Sequence, residues 1–300
     1  MRELVIGGRL VNDEEPCYVI AELSGNHGGS FSVAQDLIRA AAKAGATAVK
    51  LVKRDVATLY SQSVLDQPYE NDVSYGATYG AHREALELSA EGYAACLLTA
   101  SANQIMLFAT AYDEPSVEFL AGLRLPAIKI HSGGLTDESL IRAAAALGRP
   151  VILSTGGGTP EDIGRAVGWL GDCPHAILHC TACYPLQPAE ANLRVISTLR
   201  KRFPQTVIGW SSHHTGIALS LVAYALGARI LEHHVTLDRA GRGTDHSFSL
   251  EPKGLATLVD DLEKARVALG DGVKRFYVSE RVPIMKMRRV DTPEGMRITR

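Results

Sequence analysis

A chain of 300 residues with 46% hydrophobic content is long enough to fill the core of one large domain. Its formal charge of -2 gives no general basic field, which argues against a nucleic-acid partner. No apolar run approaches the roughly 20 residues of a membrane span, and the N-terminus MRELVIGGRL lacks the apolar core of a signal peptide, so no membrane partner and a cytoplasmic setting are expected.

Taken in chain order, short apolar runs end one after another in residues able to do chemistry. Residues 18–21 lead to Glu22, 46–49 to Lys50, 106–109 to Thr110, 127–128 to Lys129 and 151–153 to Ser154. Residues 176–179 then lead into Cys180 through Tyr184, 207–210 into Ser211 through His214, and 230–231 into Glu232, His233 and His234. Between most of these candidate strands lie segments with helical spacing: 32–44 with Gly45 as a C-cap, 136–147 and 159 onward with N-cap chemistry, then 189–203, 217–226 and 252–269. Alternating strands and helices argue for a parallel sheet, and eight strand ends favour its closure into a (β/α)8 TIM barrel, whose active site lies at the C-terminal ends of the strands.

Two regions break the rhythm. Residues 59–80 are polar and tyrosine-bearing with little periodicity, and read equally as a lid over the rim or as an insertion packed outside the barrel. The tail, with Lys286, Arg288, Arg289, Arg297 and Arg300, reads as a basic extension over 283–300 after a barrel domain over 1–282. Five cysteines, most in apolar surroundings, fit reduced thiols better than a disulfide framework; Cys180 and Cys183 form a lone CxxC with no second pair to complete a zinc site.

The segments GWSSHHTG and ILEHHVT each put two histidines at a strand end. Neighbouring residues on a strand point to opposite sides, so one imidazole of each pair faces the rim, and two imidazoles with carboxylates nearby suit manganese, zinc or iron(II). Lys50 and Lys129 sit in strands of small apolar residues, where an unpaired ammonium costs several kcal/mol. They imply either a Schiff-base site or a dianionic substrate. Ser132, Ser154 and Ser211, beside glycines or in turn sequence, supply hydroxyls and backbone amides of the kind that cradle a phosphate.

The motifs IAELSGNHGGS, AVKLVKRD, ATAYD, IKIHSGGLTD, ILSTGGGTPEDI, LHCTACYP followed by NLR, IGWSSHHTG, ILEHHVTL and GTDHSFSLEP, in one consistent order over about 18–277, together resemble the catalytic barrel of the sialic acid (N-acetylneuraminate) synthases. The resemblance implies condensation of phosphoenolpyruvate with an N-acylated aldose such as N-acetylmannosamine, giving a nonulosonic acid and phosphate. It implies His213 and His234 as metal ligands, with Mn2+ as the ion, and Lys50, Thr110, Lys129, Ser132, Ser154 and Ser211 around phosphoenolpyruvate. Glu22, Glu232 and Tyr184 match further active-site positions, with Tyr184 and Asp245 on the sugar side. A homodimer is the expected assembly.

Three departures bear on the acceptor. Val52 stands where family members commonly have glutamine that reaches the sugar, Ser212 where aspartate commonly precedes the metal histidine, and the chain is expected to lack the antifreeze-like C-terminal domain of bacterial members. An altered aldose is therefore expected, with Arg288 or Arg289 as replacements for the cation that domain lends. Competing readings are a metal-dependent or Schiff-base pyruvate aldolase, and a barrel that binds phosphoenolpyruvate without turnover.

Overall fold

The computed structural model describes residues 2–298. Eight parallel strands close into a barrel: β3 (Tyr18–Glu22), β4 (Ala48–Lys53), β5 (Met106–Ala111), β6 (Ile128–Ile130), β7 (Val151–Ser154), β8 (His175–Cys180), β9 (Val207–Ser212) and β10 (Ile230–His234), which returns to pair with β3. These are the eight strands anticipated, and closure leaves none of them with an unpaired edge. The strands read as near-continuous apolar runs because side chains of one parity fill the barrel and those of the other lie under the helices; nearly all are buried.

An antiparallel hairpin, β1 (Glu3–Ile6) and β2 (Arg9–Asn12), precedes the barrel and was not anticipated. Gly7 and Gly8 join its strands at φ of 56° and 81°, a two-residue turn open to glycine at both positions. Leu4, Ile6 and Val11 are buried, and Gly7 lies against Met106 at the start of β5. The hairpin thus packs at the N-terminal end of the barrel, opposite the rim where the strands end.

The helices start where their sequences offer caps. Ser30 accepts from the Val33 amide to open α1 (Phe31–Lys43), Asp137 accepts from Leu140 before α7 (Glu138–Ala146), and Thr159 with Asp162 forms a reciprocal capping box at α8 (Pro160–Leu170). The helix expected over 189–203 is shorter, Arg194–Arg202 (α9). Asn192, at φ of 38°, turns the chain just before it, a conformation that asparagine tolerates well.

After β4 the chain makes its longest excursion, through α2 (Val56–Leu59), α3 (Gln62–Leu65) and α4 (Tyr79–Ala85) to α5 (Ala90–Ala102). Tyr60 and Tyr69 pack edge to face on Tyr79, and His82 lies tilted against Tyr69 and Tyr79, so the segment carries an aromatic core of its own. Among the described residues, those up to Ala265 form one compact unit and those from Arg266 onward a second, with α11 (Pro252–Leu269) beginning in the first. Within the second unit, α12 (Arg281–Met287) precedes a turn in which Arg289 donates to the Met296 carbonyl. Arg300 of the basic tail lies outside the described residues. Among the described residues, no helix is long and apolar enough to cross a membrane, and all five cysteines are free thiols.

Candidate active site

Parallel register sets the site. Across the sheet His234 lies beside Glu22, Glu22 beside Lys50, Val52 beside Thr110, Thr110 beside Lys129, and Ser211 beside both Cys180 and Glu232. Residues level with one another and of the same parity point into the barrel together. A cavity of about 570 Å³ opens there, lined by the site residues anticipated on the strand ends and the loops just beyond them. Glu22, Lys50, Val52 and Thr110 come from β3 to β5, Lys129 and Ser132 from β6 and the turn after it, and Ser154 from the end of β7. Tyr184 follows β8, Ser211 lies at the end of β9 with His213 just after it, Glu232 and His234 end β10, and Asp245 sits in the loop beyond.

The two lysines are buried, 3% and 2% exposed, and each is paired. Lys129 Nζ donates to both carboxylate oxygens of Glu232 at 2.8 Å, and Ser211 Oγ donates to one of them at 2.9 Å. Burial raises the Glu232 pKa, but Lys129 and then Lys50 outweigh it and hold the carboxyl well below its ordinary value. Lys50 contacts Glu22 and donates to Thr110 Oγ1 at 2.6 Å, with Glu232 at 3.9 Å. Burial lowers Lys50 to about 7; Glu232 opposes the shift and Lys129 adds to it. Glu22 is fixed on its other side by the Ser24 amide at 2.6 Å. Ser132 Oγ accepts from the Gly156 amide at 3.0 Å, which ties the turns after β6 and β7 together.

The histidine pairs divide by parity as expected. His213 and His234 face the cavity with ring centroids 5.3 Å apart. His233 points outward, hydrogen-bonded to Ser220 at 2.6 Å, and His214 turns to the Leu186 carbonyl. The His213 Nδ1–H donates to the Thr181 carbonyl at 2.9 Å, which leaves Nε2 free; burial and then His234 lower this imidazole to about 4. His234 Nδ1 is buried with no hydrogen bond and stands 3.4 Å from Asp245 Oδ2. Asp245 also accepts from Ser24 Oγ at 2.6 Å, so it orients His234 as well as lining the cavity. Tyr184 lies over His213, ring centroids 4.0 Å apart, and is 54% exposed at the mouth. Ser212 points away from the cavity and caps the His214 amide.

Several lining residues were not singled out from the sequence. Arg54, Tyr112 and His131 form a stacked wall: the guanidinium lies 4.4 Å over the tyrosine ring, and the Tyr112 and His131 centroids are 3.8 Å apart. Each lies inside a quoted motif directly after a strand, which was the available signal. Tyr60 and Arg83 reach the cavity from the β4–α5 excursion. That segment therefore lines the rim, the first of its two readings. Its Tyr75 hydroxyl donates to the Arg242 carbonyl at 2.6 Å, and Arg242 bonds back to the Ser74 carbonyl, so the excursion is tied to the loop that carries Asp245.

Paired buried lysines, hydroxyls and opposed imidazoles gathered where barrel strands end define an enzyme site for a small anionic substrate. The chain belongs to the NeuB family, whose model matches residues 37–274. N-acetylneuraminate-9-phosphate synthase of Mus musculus is 41% identical over 91% of this chain and 77% of its own length. N,N'-diacetyllegionaminic acid synthase of Legionella pneumophila is 32% identical over 86% and 75%. The crystal structure of N-acetylneuraminic acid synthetase from Leptospira borgpetersenii, a complex with citrate, superposes with a TM-score of 0.83 at 31% identity, covering 94% of this chain and 95% of that one.

Proposed function

We propose that the protein joins phosphoenolpyruvate to the open-chain aldehyde of an N-acylated aldose, forming a nonulosonic acid and releasing phosphate. The observation that carries this reading is the floor of the cavity, where Lys50 and Lys129 stand among Thr110, Ser132, Ser154 and Ser211. Ammonium and hydroxyl donors there match the phosphate and carboxylate of a small enol ester. Relatives named as synthases of sialic and legionaminic acids support it. The lysines' partnership with Glu232 and Glu22 supports anion binding over a Schiff base, for which a neutral, unpaired amine is needed.

In the reaction, C3 of phosphoenolpyruvate bonds to the aldehyde carbon as the carbonyl π pair moves to the aldehyde oxygen, which takes up a proton, leaving C2 electron-poor. Water adds at C2 and gives up one proton, and the C2–O bond to phosphate then breaks as the new C2 hydroxyl passes its proton to the departing phosphate, leaving the keto acid. Glu232, kept ionised by Lys129, stabilises the positive charge at C2. Glu22, held in contact with the Lys50 ammonium, is the carboxylate suited to accept the proton from water. Tyr184 and Val52 face the acceptor.

The two inward imidazoles fit a divalent ion, best Mn2+: one Nε2 is left free by the Thr181 carbonyl, and the buried Nδ1 of His234 has no hydrogen bond. Among the described residues no group of three or more metal-ligating side chains is gathered. A pair of ligands with open positions suits an ion that also takes water or substrate. Held by His213 and His234, such an ion supplies Lewis-acid polarisation of the aldehyde oxygen. The homodimer and the cytoplasmic setting belong to this proposal on the strength of the motif resemblance.

Phosphate release from phosphoenolpyruvate with Mn2+ across a panel of N-acylated aldoses tests the proposal: release that needs both sugar and metal is expected, and its absence across the panel refutes the synthase reading. Two further results follow from the site. The protonated Lys50 balances the substrate's negative charge, so kcat/KM for phosphoenolpyruvate should fall as pH rises through about 7. Lys50→Arg, charged throughout, should lack that limb; an unchanged pH profile would remove Lys50 from the role. Val52 offers the acceptor no hydrogen bond, so Val52→Gln should shift the aldose KM by roughly fivefold or more with the phosphoenolpyruvate KM steady. Equal shifts in both would place residue 52 away from the sugar.

The reading is neutral about the acceptor's far end. Phosphoenolpyruvate contributes three carbons, so C6 of a hexose becomes C9 of the product. The mouse relative is named for a product phosphorylated there, and the Legionella relative is named for one without phosphate.

A further inference from the structure

The cavity holds more cationic chemistry than phosphoenolpyruvate requires. Four cations line it: Lys50, Arg54, Arg83 and Lys129. Three are already committed to carboxylates, Lys50 to Glu22, Lys129 to Glu232, and Arg54 to Glu87 at 2.8 Å behind the wall. Arg83 differs. Among the described residues no carboxylate pairs with it; its Nε donates to the Tyr79 hydroxyl at 2.8 Å, and its guanidinium sits 4.9 Å over the Tyr79 ring. That ring is itself held edge to face by Tyr60 and Tyr69, with centroids 5.3 and 5.5 Å away. The guanidinium is thus fixed at one nitrogen and one face, Arg83 lines the cavity, and among the described residues its two terminal NH2 groups have no hydrogen-bond partner. A planar fork held in this way is the side chain suited to grip a phosphate by two parallel hydrogen bonds.

Its position says which phosphate. Of the groups assigned to phosphoenolpyruvate, Lys50, Thr110, Lys129, Ser154 and Ser211 are almost fully buried on the strands and Ser132 is half-buried in the turn after β6, whereas Arg83 is half-buried on the excursion. The acceptor's aldehyde must meet C3 of phosphoenolpyruvate at the floor, so its opposite end points to the mouth. We infer that Arg83 anchors a phosphate on the far end of the acceptor, and that the substrate is an N-acylated aldose 6-phosphate rather than the free sugar. This inference rests on the synthase reading above.

The test compares one N-acylhexosamine with and without its 6-phosphate as acceptor, for the wild type, Arg83→Ala and Arg83→Lys, by release of inorganic phosphate from phosphoenolpyruvate. The wild type should favour the phosphorylated acceptor about 100-fold in kcat/KM. Arg83→Ala should collapse that ratio to below about tenfold, chiefly through the acceptor KM, and Arg83→Lys, which keeps the charge without the fork, should fall between. A wild type that uses both acceptors equally overturns the inference and leaves the synthase reading standing. So does an Arg83→Ala ratio equal to that of the wild type, or a loss of the same size in KM for phosphoenolpyruvate, which would move Arg83 to the other substrate. No release with either acceptor overturns both readings.

Discussion

Lys129→Met should cost the protein about 3 kcal/mol of stability as well as its activity, and restoring the first without the second is the informative step. Both oxygens of Glu232 lean on the Lys129 ammonium inside the barrel, where the carboxylate is 4% exposed. Removing one partner of a buried pair strands the other, at roughly 3–5 kcal/mol. In a domain of this size that corresponds to a fall in Tm of roughly 5–10 °C. The double change Lys129→Met with Glu232→Leu removes the stranded charge, so most of the stability should return, with a coupling energy of about 2 kcal/mol or more. Activity should stay down by about a thousandfold or more in both, because anion binding and stabilisation at C2 are gone. Thermal melts and phosphate-release kinetics on Lys129→Met, Glu232→Leu and the double variant check this. A double variant as unstable as the sum of its parts would mean that the pair is not the energetic unit the distances describe.

The second large effect concerns the imidazoles. Dialysis against a chelator should lower phosphate release by about a thousandfold, with recovery on adding Mn2+. Independently of turnover, Mn2+ at a hundred times its Kd should raise stability by about 2.7 kcal/mol, because the unfolded chain lacks the site. His234→Ala and His213→Ala should abolish that thermal shift. His233→Ala should destabilise the fold by breaking the bond to Ser220 yet keep the shift, since its ring points outward. Retention of Mn2+ stabilisation in His234→Ala would refute the assignment.

That contrast between neighbouring histidines was legible in the sequence because a strand's alternation is strict: once residues 230–234 are a strand, Glu232 and His234 must share a face. The barrel was legible for the same reason, as each buried strand leaves an apolar run with chemistry at its end. Arg83 and Tyr60 were not legible, because an irregular excursion has no period from which to read direction. Arg54 and His131 were hidden differently, in motifs already quoted, since the stacking on Tyr112 that gives them a common purpose is a contact between separate strands' ends. The hairpin at the N-terminus escaped because its runs are four residues each and gain burial only from the barrel they pack against. The late start of the predicted 189–203 helix turned on one left-handed asparagine, which periodicity does not register.

The knot between Tyr75 and Arg242 bears on how such an enzyme changes its acceptor. The groups assigned to phosphoenolpyruvate belong to strand ends and to the tight turns just beyond them, and a closed sheet tolerates little revision. The acceptor's end of the cavity is furnished largely by two loops, and these grip each other's backbone. A transplant of the excursion alone would leave Arg242 without its carbonyl and ring, and loosen the loop that presents Asp245 to His234. Acceptor range in this scaffold is therefore inherited as a matched pair of loops, and a chimera that exchanges both should keep its turnover where one that exchanges either alone loses it.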